Sequence, residues 1–303
     1  MGRVRVRVPA STANLGPGFD TLGMALSLYN EVELSDEGEG LQLQVEGEGK
    51  VELEQAGERN LAVRTAQETL RDLGLQPAGL WVRQINRIPL GRGLGSSAAA
   101  CLAGIAAAAR LAGVQLSTDE LLARALPFEG HPDNVTPALM GGLTASAVVA
   151  GHVVVAKVPV PAHLKAVVVV PDLTLATRRA REVLPKQVPF ADAVFNLTRL
   201  ALLLTGLVTD HPELLAPGTE DRLHQPYRAA LLPGMEAILE EGRQAGALAT
   251  CLSGAGSSLL ALVSADGEKI GQRMSERWRR EFGIESRVHL LDIDRQGLVY
   301  LER

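Results

Sequence analysis

Ile88-Pro89-Leu90-Gly91-Arg92-Gly93-Leu94-Gly95-Ser96-Ser97-Ala98-Ala99 carries three glycines and two serines straight into an alanine-rich helical pattern. Glycine lets backbone N–H groups approach an anion closely, and the first turn of the following helix offers unpaired N–H donors and the positive end of its dipole. The segment therefore has the composition of a phosphate cradle. A lysine-bearing nucleotide loop is excluded, because no lysine occurs between Lys50 and Lys157. The dinucleotide pattern G-x-G-x-x-G is also unmet, since Gly91-Arg92-Gly93 is followed by Leu94-Gly95-Ser96, one residue short. Taken alone, a Gly/Ser turn before a helix is equally an ordinary tight turn, so its meaning depends on what surrounds it.

Working outward, residues 80–85 read as a strand that delivers the chain into this loop, and 96–111 as a helix whose small residues let it pack close to a sheet. Upstream, residues 4–10 alternate as a strand, 14–20 form a glycine/proline loop, and 30–34 and 41–47 are further strands. Residues 60–73 repeat apolar positions at helical spacing and stop at Gly74. Downstream, 117–125 is a helix capped by Ser117 or Thr118 with Glu120 close behind, and 129–134 is a loop. Residues 143–149 and 153–158 make a hairpin around Gly151-His152. Pro159 and Pro161 then mark a linker, dividing the chain into 1–158 and 159–303. The second part opens with a strand at 164–170. Helices at 190–207, 227–241 and 266–282 then alternate with strands at 249–252, 259–263 and 286–291. That alternation predicts an α+β layer, with the sheet on one side and helices on the other.

Composition narrows the function. A net charge of -5 and only 3% aromatic residues exclude the basic, aromatic-studded surface of a nucleic-acid binder. Cys101 and Cys251 make neither a disulfide framework nor a zinc site and fit buried thiols in a reducing cytoplasm. The alternating Arg3-Val4-Arg5-Val6-Arg7-Val8 lacks the apolar run of an export signal, and the uncharged windows 93–109 and 135–156 lack the bulk of a membrane span. The expectation is a cytoplasmic protein acting on small molecules.

Four polar clusters carry the chemistry. Asn14 and Asp20 flank a rigid loop and could grip a small hydroxylated ligand, or simply form an Asx turn. The glycine loop is the second. Glu129-Gly130-His131-Pro132-Asp133-Asn134 places two carboxylates and an amide within six residues, enough for a magnesium ligand and a group that orients an acceptor hydroxyl. His131 shares no metal-ligand spacing with the other histidines and reads as a structural hydrogen-bonding residue. Leu252-Ser253-Gly254-Ala255-Gly256-Ser257-Ser258 is a second glycine/serine loop.

Together these segments resemble the GHMP superfamily of small-molecule kinases. The Pro-x-x-x-Gly-Leu-Gly-Ser-Ser-Ala-Ala loop is similar to its nucleotide motif, and Ser-Gly-Ala-Gly to its carboxy-terminal motif. Pro9 to Asp20, Glu129 to Asn134 and His224-Gln225-Pro226-Tyr227-Arg228 resemble the branch that phosphorylates L-homoserine. The resemblance implies an α+β two-domain architecture, a ribosomal S5-like amino-terminal ATP-binding domain and a ferredoxin-like carboxy-terminal domain with the site between them. It implies ATP and Mg2+, an L-homoserine acceptor whose phosphorylated product serves threonine synthesis, and a homodimer.

Carried residue by residue, the resemblance assigns Pro89, Leu90, Gly91, Arg92, Gly93, Leu94, Gly95, Ser96, Ser97, Ala98 and Ala99 to the triphosphate and Asn60 to the adenine. Ser97 and Glu129 match the magnesium ligands, with Ser96 an alternative to the first. Asn14, Asp20, Asp133 and Asn134 line the acceptor pocket, and Thr177 stands near the phosphates. Arg181 and Arg228 match two carboxylate-binding arginines, with Arg178 and Arg179 competing for the place of Arg181; a planar guanidinium suits a carboxylate. With no lysine near the motifs, Asp20, Asp133 and Asn134 are expected to position the hydroxyl, and magnesium and loop N–H groups to supply positive charge. Ser257 stands where the family often has proline, a change expected to alter loop stiffness.

Overall fold

The computed structural model describes residues 2–301. Its first layer is a seven-stranded sheet built from β1 (Arg3–Asn14), β2 (Gly18–Ser35), β3 (Gly40–Gly47), β4 (Gly79–Asn86), the hairpin β5 (Leu143–Val149) and β6 (His152–Val158), and a last strand. β2 is 18 residues long and pairs with β1 along one edge, while its other edge serves two partners: Glu31 to Ser35 pair with β4 and Leu22 to Met24 with β5. This bend in use brings the β1–β2 turn to one end of the sheet. The helices of this half are α1 (Lys50–Ala56), α2 (Leu61–Asp72), α3 (Ser96–Leu111), α4 (Thr118–Glu129) and α5 (Val135–Met140).

α3 begins at Ser96 as its sequence predicts, behind Gly95 in a left-handed conformation. It is buried almost all round, from Cys101 to Ala109, because alanine and glycine let β1, β2 and α2 approach from different sides. α4 starts with a capping box in which Ser117 and Glu120 satisfy each other's backbone N–H groups. It runs further than the sequence suggests, through Pro127 to Glu129, so Glu129 is a helix-terminal residue rather than a loop residue. α1 has no buried residue and no apolar stripe, which is why periodicity missed it.

The second half contains β7 (Lys165–Pro171), α6 (Thr177–Glu182), α7 (Phe190–Thr209), α8 (Leu215–Gly218), α9 (Gln225–Ala229), α10 (Met235–Gln244), β8 (Ala249–Leu252), β9 (Leu259–Val263), α11 (Gly267–Phe282) and β10 (Ser286–Asp292). Its four-stranded antiparallel sheet has the order β10-β7-β9-β8. The single helix expected at 227–241 is two, α9 and α10, because Pro233-Gly234 interrupts it with Gly234 at φ 81°. The sheet is also covered on both faces rather than one. Val167 and Val169 face the core of α10 and α11, whereas Ala166, Val168 and Val170 join a cluster with Leu203 and Leu207 of α7 and the core of the first half. The last strand, β11 (Val299–Leu301), returns to pair with β1.

Candidate active site

The two glycine loops and the β1–β2 turn meet at one place. Gly93 lies so close to the second loop that a Cβ on it would fall 2.1 Å from the Ser253 carbonyl oxygen. Ser253 Oγ bonds Thr12 Oγ1 at 2.9 Å and donates to the Gly93 carbonyl at 2.7 Å, Gly254 N–H donates to Ala13 O at 3.0 Å, and Ser258 N–H to Arg92 O at 3.1 Å. The second loop is thus a buttress that sets the shape of the first. Ser257 is buried and its hydroxyl bonds Leu173 O, a tie that proline could not make.

Beside this contact opens a cleft of about 300 Å3. Of the residues expected at the triphosphate, Pro89, Gly91, Arg92, Gly93, Leu94, Gly95, Ser96 and Ser97 border it. Leu90, Ala98 and Ala99 do not: Leu90 packs over Gly49, Ala98 and Ala99 are fully buried, and the Ala99 N–H already donates to Gly95 O at 2.9 Å. Asn60 is likewise not brought to the cleft. Its side chain caps α2 through Ala62 N–H at 3.0 Å and pairs with Gln84, so its polar atoms are committed inside the first half.

The acceptor residues assemble opposite the loop. Asn14, Asp20, Asp133, Asn134, Arg181 and Arg228 all border the cleft, as do Thr177, His131 and Phe128. Arg178 and Arg179 do not; Arg178 pairs with Glu182 at 2.9 Å on the exposed side of α6. Both ends of the Asn14 amide are engaged, Nδ2 donating to Gly254 O at 2.9 Å and Oδ1 accepting from Asp20 N–H at 3.0 Å. Asn14, Leu15 and Asp20 all have positive φ (71°, 46° and 52°), strain that the surrounding hydrogen bonds hold in place. Ser11 Oγ donates to Asn134 Oδ1 at 2.9 Å, which holds that amide at the edge of the cleft.

The charges are unevenly matched. Asp20 and Arg181 form a bidentate pair at 2.6 and 3.1 Å, and this hydrogen bond to Asp20 holds the Arg181 guanidinium above its ordinary value. Arg228 is 2% exposed and has no carboxylate partner among the described residues. Its guanidinium is held instead by Ala180 O, Gly254 O and His224, above the ring of Phe19. Burial, and then the neighbouring charge of Arg181, push it down to about 10. Such a site favours an anion from outside.

Asp133, 2% exposed, contacts His131 Nδ1 at 2.6 Å. Burial pushes that imidazole down, but the hydrogen bond and charge of Asp133 outweigh it and leave it above its ordinary value. His131 therefore does bond structurally, as expected, yet it also lies in the cleft, within a cluster with Asp20 and Asp133 that sequence spacing did not flag. Ser97 donates to Glu129 across the start of α3 and the end of α4. Burial pushes the Glu129 carboxyl up, and among the described residues only the Ser97 hydroxyl bonds to it. The Ser97 hydroxyl and the Glu129 carboxylate are two hard oxygen donors, and with no cationic hydrogen-bond partner for that carboxylate among the described residues they fit a divalent cation such as magnesium.

The chain matches the GHMP kinases N terminal domain over residues 60–142 and the GHMP kinases C terminal domain over residues 203–280. It is 42% identical to a homoserine kinase of Persephonella marina over 294 residues, 97% of each chain. It is also 42% identical to one of Moorella thermoacetica, covering 98% of this chain and 99% of the relative. Among solved structures, a homoserine kinase from Cytophaga hutchinsonii superposes with a TM-score of 0.89 at 32% identity, covering 99% of this chain and 98% of that one. A Leishmania major mevalonate kinase complex, at 18% identity and a TM-score of 0.74 over 97% and 96% of the two chains, shares the fold.

Proposed function

Because the chain belongs to the homoserine kinases of the GHMP kinase superfamily, and so transfers phosphate from ATP to homoserine, we propose that the cleft between the two glycine loops performs this transfer with Arg228 as the anchor of the amino-acid carboxylate. The observation that carries this reading is a buried guanidinium with no carboxylate partner among the described residues, facing a cleft whose other wall is an anion cradle. A substrate carboxylate there would satisfy a cation that the fold has already desolvated. Arg181 adds positive charge on the same side, and Asp20, paired with it, joins Asp133 and Asn134 in positioning the acceptor hydroxyl.

The triphosphate falls to the N–H groups at the start of α3, which lie outside the helical ladder, and to Arg92. Ser97 and Glu129 would hold Mg2+, which when bound neutralises charge between the phosphates. Asp133, fixed by His131, and Asn134, fixed by Ser11, position the acceptor hydroxyl. No lysine borders the cleft among the described residues, so rate enhancement rests on positioning and on fixed donors rather than on a lysine-assisted base. The product would serve threonine synthesis.

The test is an ADP-release assay with ATP, magnesium and a panel of L-homoserine, mevalonate, galactose and L-threonine. Turnover of homoserine alone is the expected result, and turnover of mevalonate without homoserine would sink the reading. If Asp20→Asn and Asp133→Asn both abolish turnover while homoserine affinity and binding geometry stay intact, the positioning role is wrong.

We also propose a division into an ATP-binding part, 1–158, and a carboxy-terminal part, 159–303, whose last strand crosses back to the first sheet. A cytoplasmic homodimer completes the reading. α7 is long and apolar enough to cross a membrane by length and composition, but its outward face fits a second copy of the chain better: Phe190, Val194, Leu197 and Val208 form an exposed apolar stripe on a helix whose other face lies in the core.

A further inference from the structure

His224 lies one turn before Arg228, at the start of α9, and is fully buried behind it. Its ring stacks on Phe19, with centroids 5.3 Å apart at 29°. The two ring nitrogens work in opposite senses. A guanidinium has donors only, so the 3.1 Å contact from Arg228 Nη1 requires His224 Nδ1 to accept. Nε2 must then carry the proton, and it donates to the Gly16 carbonyl at 2.7 Å. One neutral tautomer satisfies both contacts. Burial pushes this imidazole well below its ordinary value, and the charge of Arg228 acts in the same direction against that of Asp221.

We propose that His224 is a positioning residue for the acceptor amino acid, acting through Arg228. Its Nδ1 lone pair is one of three acceptors that fix the guanidinium, beside Ala180 O at 3.1 Å and Gly254 O at 3.0 Å. These acceptors come from α6, the second glycine loop and α9 itself, so the head cannot turn about its own axis. Nη2 makes no hydrogen bond among the described residues and remains for the ligand. The opposite ring nitrogen ties the same assembly, through Gly16, to the β1–β2 turn that leads into Asp20 near the start of β2. This inference rests on reading Arg228 as the carboxylate anchor.

Two substitutions separate positioning from mere packing. An asparagine amide reaches the place of Nδ1 and can still accept from Arg228; a glutamine amide reaches the place of Nε2 and can still donate to Gly16. Loss of an acceptor to a charged donor predicts that His224→Gln raises the KM for homoserine about tenfold, with the KM for ATP and kcat within about twofold. His224→Asn should stay within about threefold of the wild type for homoserine. The reverse order, or equal effects on both substrates, overturns the inference. If His224→Gln does not fold, His224→Asn decides: a preserved homoserine KM supports the role, and a raised one at unchanged Tm overturns it. Arg228→Gln is measured alongside. A wild-type homoserine KM in Arg228→Gln defeats the underlying reading, whereas a raised KM there with an unaffected His224→Gln defeats only the role of His224.

Discussion

The structure gives Arg92 more weight than its place in the glycine loop did. It borders the cleft, and its Nη1 is buried without a hydrogen-bond partner among the described residues, while Nη2 reaches exposed Asp172 only at 3.5 Å. A buried donor left unpaired is costly unless something fills its place. Arg92→Gln should therefore raise the KM for ATP about tenfold and leave that for homoserine nearly unchanged, the size expected for a charge-assisted contact. Equal changes for both substrates in steady-state kinetics would remove Arg92 from the phosphate site. His224 yields a second expectation at this scale. Arg228, Asp221 and Asp20 act on it, yet burial dominates and holds it neutral. Below its ordinary value of 6.5 the unfolded chain takes up a proton that the folded one refuses, so stability falls as pH drops below that value. His224→Asn should flatten the slope of urea-unfolding free energy between about pH 6.5 and 5, where one proton is worth about 1.4 kcal/mol per unit. An unchanged slope would show that His224 is not held neutral. Neither the Asp20–Arg181 pair nor the commitment of Asn14 and Asn60 could be read in the sequence, since residue type gives a side chain's chemistry but not its partner.

Elements were legible where their own periodicity or caps settle them. α3, the β5–β6 hairpin and α11 follow from small-residue runs, alternation and terminal glycines. The extension of α4 to Glu129 was not, because Pro127 and the following Gly-His-Pro read as breakers, although the helix tolerates the proline. That turn of helix matters, since it points Glu129 at Ser97. Close packing of α2 on α3 also depends on a single position. A Cβ at Gly104 would lie 2.2 Å from Thr65 Oγ1 and 2.4 Å from the Ala62 carbonyl oxygen. Gly104→Ala is therefore expected to cost about 1–3 kcal/mol by overpacking, despite its better helix propensity. Differential scanning calorimetry would register a lower Tm, and a raised one would show that the helices part freely.

On the scale of the molecule, α7 carries an exposed apolar stripe of Phe190, Val194, Leu197 and Val208. Leu197 is 67% exposed and Phe190 85% on a helix that turns Leu203 and Leu207 inward. Leu197→Glu should convert a dimer into a monomer in sedimentation velocity, with Tm barely changed because the side chain touches no core. A dimer that survives the substitution, or a monomeric wild type, would release α7 from that role. What the sequence determined by itself was local: the glycine loop, the caps, the α+β alternation and the residue types of phosphoryl transfer, each written in neighbours along the chain. Only the tertiary structure decided that the second glycine loop braces the first, that β11 closes the opposite edge of the chain's first sheet, and that Arg228 is buried without a carboxylate while Arg181 already has one. Those facts depend on contacts between residues up to hundreds of positions apart, and charge balance in a cleft is a property of the assembled neighbours rather than of any one segment.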